Sequence, residues 1–272
     1  MVTLIFSDMH RKNPASTIEI LAQEMPVEKL VFLGDYDSAD LVKELLKLQI
    51  SGAKKIIMVG NHDYPLVLES EKSGDARIPG YLAYEFGKKD YSKEAEKWRQ
   101  DPLLRDFARK YLDNLRDSES KFKDDAFMHI EKSSRGKIVY CHASVYDSKK
   151  ELFEKYGLNY QIWEPFLSEW KREDESIIRN NLLIMKEKNI SIFFRGHDHL
   201  PRAHSVGKEE NPLTAGIHFH GNPTLREDEL LLEPERRYIV SVGAFIRDSY
   251  AIFDEKGFKV TLVDKSVRLG GI

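Results

Sequence analysis

The segment VTLIFSDMH, residues 2–10, joins an apolar run to a polar cluster, and this pairing recurs along the chain. Val2–Phe6 is rich in apolar and β-branched residues, which predicts a buried strand, and Asp8 and His10 follow it closely. Four further runs of this kind predict buried strands at Lys29–Leu33, Lys55–Val59, Lys137–Tyr140 and Ser191–Phe194. Each of these runs also ends in polar residues, which makes the strand ends the first candidates for a functional site.

Two helical segments separate the first three predicted strands. Pro14–Glu24 follows Asn13, a good N-cap residue, and places proline in the first turn, where its missing N–H is not needed. Asp40–Gln49 carries four leucines and a valine, most of them on one face, and Gly52 lies just past its end. Strands and helices that alternate over roughly 60 residues predict parallel βαβ units. The predicted fold class is therefore α/β.

The pattern changes after Asp63, where residues 64–136 are too long for an ordinary crossover. Asp101 and Pro102 form an N-cap and first-turn pair, and apolar residues follow at helical spacing. We predict a helical insertion at about 64–136. Such an insertion can cover an active site or form a dimer contact, and its sequence does not separate the two.

The rest of the chain reads as a further helical region followed by strands. The helical region is predicted at about 148–188, with breaks near Gly157 and Pro165. The strands are predicted at Arg237–Val242, Tyr250–Asp254 and Phe258–Val263. No flexible linker is evident, so we predict a single domain over residues 1–272 that carries the helical insertion.

The composition is that of a globular protein, with 41% hydrophobic residues among 272 and a net charge of −3. This charge gives no global basic field, so nucleic acid is not an expected partner. Cys141 is the only cysteine, which rules out an internal disulfide and favours a reducing compartment. No apolar run approaches the ~18 residues of a transmembrane helix, and no signal peptide is apparent. We expect a cytoplasmic protein that does not contact the membrane.

The polar clusters at the strand ends are rich in Asp, Asn and His. They are Ser7–His10, Gly34–Asp35, Gly60–Asp63, Cys141–His142 and Gly196–His199. The carboxyl ends of strands in open α/β sheets form the binding crevice, so these five segments are predicted to converge. In an extended segment, residues two apart such as Asp8 and His10 would face one cavity. Because these side chains suit Mn, Fe, Zn or Ni, the sequence predicts a divalent metal site.

These clusters resemble the signature of the calcineurin-like metallophosphoesterases. Ser241–Gly243 and Arg247–Ala251 resemble the closing strand pair of the small prokaryotic members of that family. That signature runs Asp-x-His, Gly-Asp, Gly-Asn-His-Asp/Glu, a His after a strand, and Gly-His-x-His, and all five blocks stand here in order. The resemblance implies a four-layer αββα sandwich and two divalent metal ions, with Mn favoured. It implies that Asp8, His10 and His199 hold one ion, that Asn61, His142 and His197 hold the other, and that Asp35 bridges both.

The resemblance also implies a metal-dependent phosphoric ester hydrolase, either a phosphatase or a phosphodiesterase. A hydroxide that bridges the two ions would attack a phosphomonoester or a phosphodiester. His62 would donate a proton to the leaving oxygen, and Asp63 would orient His62. Arg247 is a candidate for binding the substrate phosphate, and the alternative is a surface ion pair with Asp248 or a glutamate.

Two departures from the family bear on the substrate. Phosphoprotein phosphatases of this superfamily carry Gly-Asp-x-Val-Asp-Arg-Gly and Gly-Asn-His-Glu-x-Arg, and both arginines are missing here, which favours a small phosphoester substrate. Ser38 replaces the acidic partner of the catalytic His, and Asp37 could substitute for it if the loop differs. A non-catalytic metal-binding scaffold and a nuclease are the alternative functions. A homo-oligomer is compatible with the sequence.

Overall fold

Two six-stranded sheets form the centre of the fold in the part of the chain that the structure describes. The structure is a computed structural model that describes residues 1–64, 66–67, 92–119, 128–144, 175–221 and 227–266. Both sheets are mixed, and each contains three adjacent parallel strands. Among the described helices, none is long and apolar enough to cross a membrane.

The first sheet has the strand order β3-β2-β1-β11-β12-β9. Its strands are β1 (Val2–Phe6), β2 (Val27–Phe32), β3 (Lys54–Ile57), β9 (Glu227–Leu231), β11 (Ser249–Asp254) and β12 (Lys259–Asp264). β1, β2 and β3 are parallel, as the alternation of strands and helices predicts, and β11 runs antiparallel to β1. The carboxyl ends of the three parallel strands therefore lie at one edge of this sheet.

The second sheet has the strand order β4-β5-β6-β10-β7-β8. Its strands are β4 (Met128–Ser133), β5 (Gly136–Cys141), β6 (Ile190–Arg195), β7 (Pro201–Gly207), β8 (His218–His220) and β10 (Arg236–Val242). β5, β6 and β10 are parallel, while β4 and β7 run antiparallel to their neighbours. The predicted strands are confirmed in position, with ends that differ by up to two residues.

Five helices lie outside the sheets: α1 (Ala15–Glu24), α2 (Ala39–Lys47), α3 (Ser92–Gln100), α4 (Pro102–Glu119) and α5 (Glu175–Glu187), all within the described ranges. α2 starts one residue earlier than predicted because Ser38 caps it, with its Oγ 3.3 Å from the Leu41 N–H. At the other end of α2, the Lys55 ammonium donates to the carbonyls of Leu45, Leu46 and Leu48 at 2.6–2.8 Å. Lys55 belongs to β3, so these three hydrogen bonds hold the end of α2 against the first sheet.

Alternation along the strands divides the core into two clusters. Every second side chain along a strand faces the other sheet, as Ile5 of β1 and Val31 of β2 do. Phe194 of the second sheet meets Phe253 of the first, with ring centroids 5.3 Å apart. The side chains between them face outward. They pack in a second cluster with helical side chains such as Ile18 of α1. The resulting order of layers is helix, sheet, sheet, helix, which confirms the predicted αββα class.

The described helices of the predicted insertion pack on the helical layer of the first sheet. The Glu94 carboxylate of α3 accepts a hydrogen bond from the backbone N–H of Ala39 at the start of α2, at 2.8 Å. Lys43 of α2 forms an ion pair with Asp101, which also caps α4 by accepting from the Leu103 N–H at 2.9 Å. Trp98 is buried in the shared core. These contacts attach α3 and α4 firmly to α2.

One predicted boundary needs correction, and a second prediction is confirmed where the structure describes it. The insertion was expected to be helical up to about residue 136, but β4 occupies Met128–Ser133 and pairs with β5 at the edge of the second sheet. The polar residues of β4, such as Glu131, obscure the hydrophobic pattern by which buried strands are predicted. The predicted helical region at 148–188 contains α5, Glu175–Glu187, while its part at 148–174 lies outside the described residues.

Candidate active site

The polar strand ends of the two sheets meet at one edge of the sandwich. Beyond β1 and β2 the backbone pairing continues, because the Asp8 N–H donates to the Gly34 carbonyl at 3.1 Å and the His10 N–H to the Asp35 carbonyl at 2.9 Å. The Asp8 carboxylate reaches the second sheet, where its Oδ2 accepts from the His197 N–H at 2.8 Å. The five clusters singled out in the sequence therefore lie together.

Asp8, His10 and His199 form the first group of candidate ligands, with their ligand atoms within 4.8 Å of one another. His199 Nε2 lies 3.1 Å from Asp8 Oδ1 and 3.3 Å from His10 Nε2. Asp8 is fully buried, and although burial raises the pKa of its carboxyl, the hydrogen bond from His199 brings that pKa below its usual range. The group thus combines an ionised carboxylate with two imidazole nitrogens that point at each other.

Asp35, His142 and His197 form the second group, again within 4.8 Å, and Asn61 completes it. Asn61 Oδ1 lies 3.0 Å from His142 Nε2 and 3.1 Å from His197 Nδ1. Asp35 Oδ2 lies 3.5 Å from His142 Nε2 and 3.9 Å from His62 Nε2. Asp35 is therefore the carboxylate of the second group, and it also lies within 3.9 Å of the His62 ring.

The donor set of these groups fits divalent cations. His142 donates its Nδ1–H to the Leu33 carbonyl at 2.9 Å, which turns the Nε2 lone pair toward the oxygens of Asp35 and Asn61. A lone pair that faces two acceptor oxygens needs a proton or a cation between them. The pKa values reflect this need: burial lowers the pKa of His142, but the Asp35 charge raises it to about 9. Burial and the nearby His142 charge lower the pKa of His197 to about 4, so His197 is neutral, as a ligand must be.

Asp63 occupies a different position from the one the sequence suggested. It was predicted to orient His62, but its buried carboxylate accepts backbone N–H groups of Asp35 at 2.7 Å, Tyr36 at 2.9 Å and Gly60 at 3.1 Å. Burial, together with the charges of Asp35 and Asp37, raises the pKa of Asp63 to about 7. Asp63 therefore fixes the loop that carries Asp35, and it has no direct contact with the His62 ring.

Asp37 is the acidic partner of His62. Its Oδ1 lies 2.8 Å from His62 Nδ1, and its Oδ2 lies 2.9 Å from His10 Nδ1. One carboxylate thus joins the predicted proton donor to a predicted metal ligand. Asp37 substitutes for the missing acid at position 38 because the loop places it there with a left-handed φ of 55°. The sequence offered Asp37 only as an alternative, since its direction depends on this loop conformation.

Strained backbone is concentrated in the site. Ten described residues other than glycine have positive φ, and seven lie in these loops: Asp8, His10, Arg11, Asp35, Asp37, His197 and His199. The members of each predicted i, i+2 pair do share a cavity, but through tight left-handed turns and not through an extended segment. Left-handed backbone costs energy for residues with side chains, and its clustering is typical of functional sites.

Close approach of the loops explains two of the motif glycines. A Cβ on Gly196 would lie 1.7 Å from Ser7 Oγ, and a Cβ on Gly34 would lie 2.2 Å from the backbone nitrogen of Gly60. Gly34 also has a φ of 112°, a backbone conformation that favours glycine, whereas Gly196 does not have a left-handed φ. The glycines therefore serve mainly to let neighbouring motifs touch.

A buried ionic network, not anticipated from the sequence, supports the last motif. Asp198, between His197 and His199, has an Oδ2 that accepts from Arg195 at 3.2 Å, from Arg202 at 3.1 Å and from Ser241 Oγ at 2.9 Å. Arg195 has no exposed surface, and its Nε donates to the Ala143 carbonyl, next to His142, at 2.7 Å. The Arg195–Asp198 ion pair therefore connects the loops that carry His142, His197 and His199. Its only sequence signal is a charged residue at the end of an apolar strand.

Arg247 ends a single 3₁₀ turn, Phe245–Arg247, that rests on the first motif. The backbone N–H groups of Phe245 and Ile246 donate to the carbonyls of Ser7 at 2.8 Å and Asp8 at 3.3 Å. The Arg247 side chain is exposed beside this motif. Asp248 pairs with Lys12 at 2.6 Å, and among the described residues Arg247 forms no ion pair with Asp248 or a glutamate.

The αββα sandwich and the Asp, Asn and His groups at its edge are those of a metallophosphoesterase. The chain belongs to the calcineurin-like phosphoesterase family, whose sequence profile matches residues 1–201. This family consists of phosphoester hydrolases that use divalent metal ions, and the prediction made from the five motifs is confirmed at this level.

Similarity to individual proteins is more distant. An uncharacterized protein of Methanocaldococcus jannaschii is 24% identical over 276 residues, which cover 95% of this chain and 85% of that protein. The crystal structure of a metallophosphoesterase from Sphaerobacter thermophilus aligns with a TM-score of 0.55 and 19% identity, over 98% of this chain and 90% of the other. A hypothetical protein from Pyrococcus horikoshii aligns with a TM-score of 0.48 and 13% identity, over 97% and 87% of the two chains. At these identities, the Sphaerobacter structure supports the fold alone.

Proposed function

We propose that this protein hydrolyses a small phosphomonoester or phosphodiester with the help of two divalent cations, Mn²⁺ being favoured. The observation that carries the proposal is the pair of ligand groups at the sandwich edge, in which histidine lone pairs face buried carboxylates. Asp8, His10 and His199 would hold one cation. Asn61, His142 and His197 would hold the other, with Asp35 shared between them.

The bound cations would supply charge neutralisation at the phosphate and a lowered pKa for a coordinated water molecule, the proposed hydroxide nucleophile. The protein's own part is to hold seven ligands in place before the substrate arrives. Asp63 does so for Asp35 through backbone hydrogen bonds, and the His62 N–H donates to Asp35 Oδ1 at 2.9 Å. Preorganised ligands avoid reorganisation during the reaction.

His62 is the proposed proton donor to the leaving oxygen. Its Nδ1 is engaged by Asp37, which leaves Nε2 on the side of Asp35 and of the candidate cations. The side chain retains 22% of its accessible surface, so a substrate can reach it. Asp37 orients the ring through this contact, and general acid catalysis of this kind contributes about 10²- to 10⁴-fold.

Two further features complete the proposal. Arg247 remains a candidate for the substrate phosphate, because it is exposed directly beside the first motif. The chain is proposed to be a single domain, since α3 and α4 share a core with the sandwich through Trp98 and Leu104.

Hydrolysis of p-nitrophenyl phosphate and bis-p-nitrophenyl phosphate by the Mn²⁺-loaded protein tests the proposal. We expect turnover of at least one ester, and its loss by about 10²- to 10⁴-fold in His62→Ala with unchanged Mn²⁺ content. His218→Ala, at an exposed histidine on the edge strand β8, is the matched control and should behave like the wild type. No turnover of either ester with Mn, Fe, Zn or Ni would reject the proposal, and equal turnover in His62→Ala would reject the role of His62.

A further inference from the structure

We propose that Arg11 is a specificity-determining residue that binds the phosphate of the substrate and favours monoesters over diesters. The inference rests on the proposed function, since it assigns a residue to the same site. Arg11 follows the candidate ligand His10 directly, and its side chain is exposed at the mouth of the site.

The backbone at Arg11 is held in a conformation that disfavours an arginine. The Lys12 N–H donates to the Met9 carbonyl at 2.9 Å, which closes a four-residue turn over His10 and Arg11. Both central residues have positive φ, 44° at His10 and 76° at Arg11. Such mirror-image turns prefer Gly, Asn or Asp at these positions. His10 is explained by its place among the candidate ligands, whereas Arg11 carries the same strain without a role in the metal groups.

Two contacts fix the direction of the Arg11 side chain. Its backbone N–H donates to the Tyr36 carbonyl at 2.8 Å, and its Nε donates to the Asp37 carbonyl at 3.2 Å. The guanidinium therefore lies against the residue whose carboxylate contacts both His10 and His62. This position is beside the reacting centre, on the loop that holds the proposed proton donor.

The outer donors of this guanidinium are available to an anion. Among the described residues, no carboxylate lies within ion-pair distance of Arg11, although its neighbour Lys12 pairs with Asp248 at 2.6 Å. The two Nη groups form the fork that matches two oxygens of a phosphate. A monoester has three non-bridging oxygens that carry up to two charges, while a diester has two that share a single charge. Arg11 would therefore favour the monoester.

The test compares wild type, Arg11→Gly, Arg11→Lys and the control Arg109→Ala, which removes an exposed arginine from α4. For each Mn²⁺-loaded protein we would measure inorganic phosphate affinity by calorimetry, kcat and KM for both p-nitrophenyl esters, metal content and Tm. In Arg11→Gly we expect phosphate affinity and monoester kcat/KM to fall by about 10- to 100-fold, chiefly through KM, with a much smaller effect on the diester. Arg11→Lys should recover only part of this loss, because an ammonium lacks the fork.

Stability separates this role from a structural one. Glycine is free to adopt the turn at position 11, so Arg11→Gly should keep the wild-type Tm or exceed it, with unchanged metal content. Phosphate affinity within about twofold of wild type, or a loss of metal that parallels the loss of activity, would overturn the proposal. A wild-type protein that hydrolyses neither ester would instead reject the proposed function. The phosphate titration would then still decide whether Arg11 binds the anion.

Discussion

Replacing Asp37 by asparagine should slow hydrolysis while leaving the fold intact, because the change removes a charge and one acceptor without changing the size of the side chain. In the native protein the two carboxylate oxygens serve two histidines, His10 at 2.9 Å and His62 at 2.8 Å. Both rings direct Nδ1 at Asp37 and leave Nε2 for the site, so both Nδ1 atoms donate. Asparagine has one acceptor oxygen, and its NH₂ group would face the other Nδ1–H.

The size of the expected effect follows from the number of hydrogen bonds that the substitution removes. One charge-assisted hydrogen bond is lost outright, which costs about 1.5–3 kcal/mol. At about 1.4 kcal/mol per factor of ten, turnover should fall by about 10- to 150-fold if His62 loses its partner. If His10 loses its partner instead, Mn²⁺ affinity should fall by about 10- to 100-fold, the usual effect of removing a hydrogen-bond partner of a ligating histidine.

Steady-state kinetics with the preferred p-nitrophenyl ester measure turnover, and a Mn²⁺ titration of the same preparation measures metal affinity. Asp40→Asn is the matched control, because Asp40 is 65% exposed on α2 and, within the described part of the chain, pairs with Lys97 alone. It should leave both quantities at the wild-type level. If Asp37→Asn also retained wild-type kcat and Mn²⁺ affinity, the carboxylate would have no part in orienting either histidine, and the assignment of Asp37 would be wrong.

Three other substitutions test separate parts of the structure. Asp35→Ala should lose most bound metal, as measured by elemental analysis, because it removes the carboxylate that is proposed to be shared by both cations; unchanged metal would contradict the shared role. Asp198→Asn leaves Arg195 and Arg202 without their buried counter-charge, so urea unfolding should show a loss of about 3–5 kcal/mol. Glu131→Gln should destabilise the metal-free protein by about 1–2 kcal/mol at pH 7, because it breaks the half-buried ion pair with Lys29. Burial raises the pKa of Glu131, but hydrogen bonds from His129 and Lys29 lower it to about 2, so the wild-type advantage should be full above pH 4.5 and vanish as the pH falls through 2.

The buried strands could be predicted from the sequence because their residues leave few alternatives. Val2–Phe6 is apolar on both faces, and the structure gives β1 these same limits. Edge strands lack this signal, since β4 and β9 place polar residues on a surface that is half exposed. They are strands because a neighbouring strand offers unpaired backbone groups, which is a tertiary cause that the local sequence does not show.

The residue types of the candidate site could be predicted from the sequence, but the directions in which its side chains point could not. Motif order was enough to bring Asp8, Asn61 and His197 to one edge. It could not show which acid contacts His62, because Asp63 adjoins it in sequence yet turns inward to the backbone of Asp35. The contact with Asp37 depends on a left-handed residue in another loop. Such conformations are set by the packing of several loops together.

The location of the site couples the proposed metal centre to the core of the sandwich. Each ligand group takes side chains from both sheets, since Asp8 follows β1 and lies with His199, while Asp35 follows β2 and lies with His142. Separated sheets offer no complete ligand set, so a cation would bind the folded state alone. It would then stabilise the fold by about 2.7 kcal/mol at a concentration 100 times its Kd. By the same linkage, destabilising the contact of the sheets at Phe194 and Phe253 would lower the apparent metal affinity once an appreciable fraction of the protein is unfolded, although neither side chain is itself a candidate ligand.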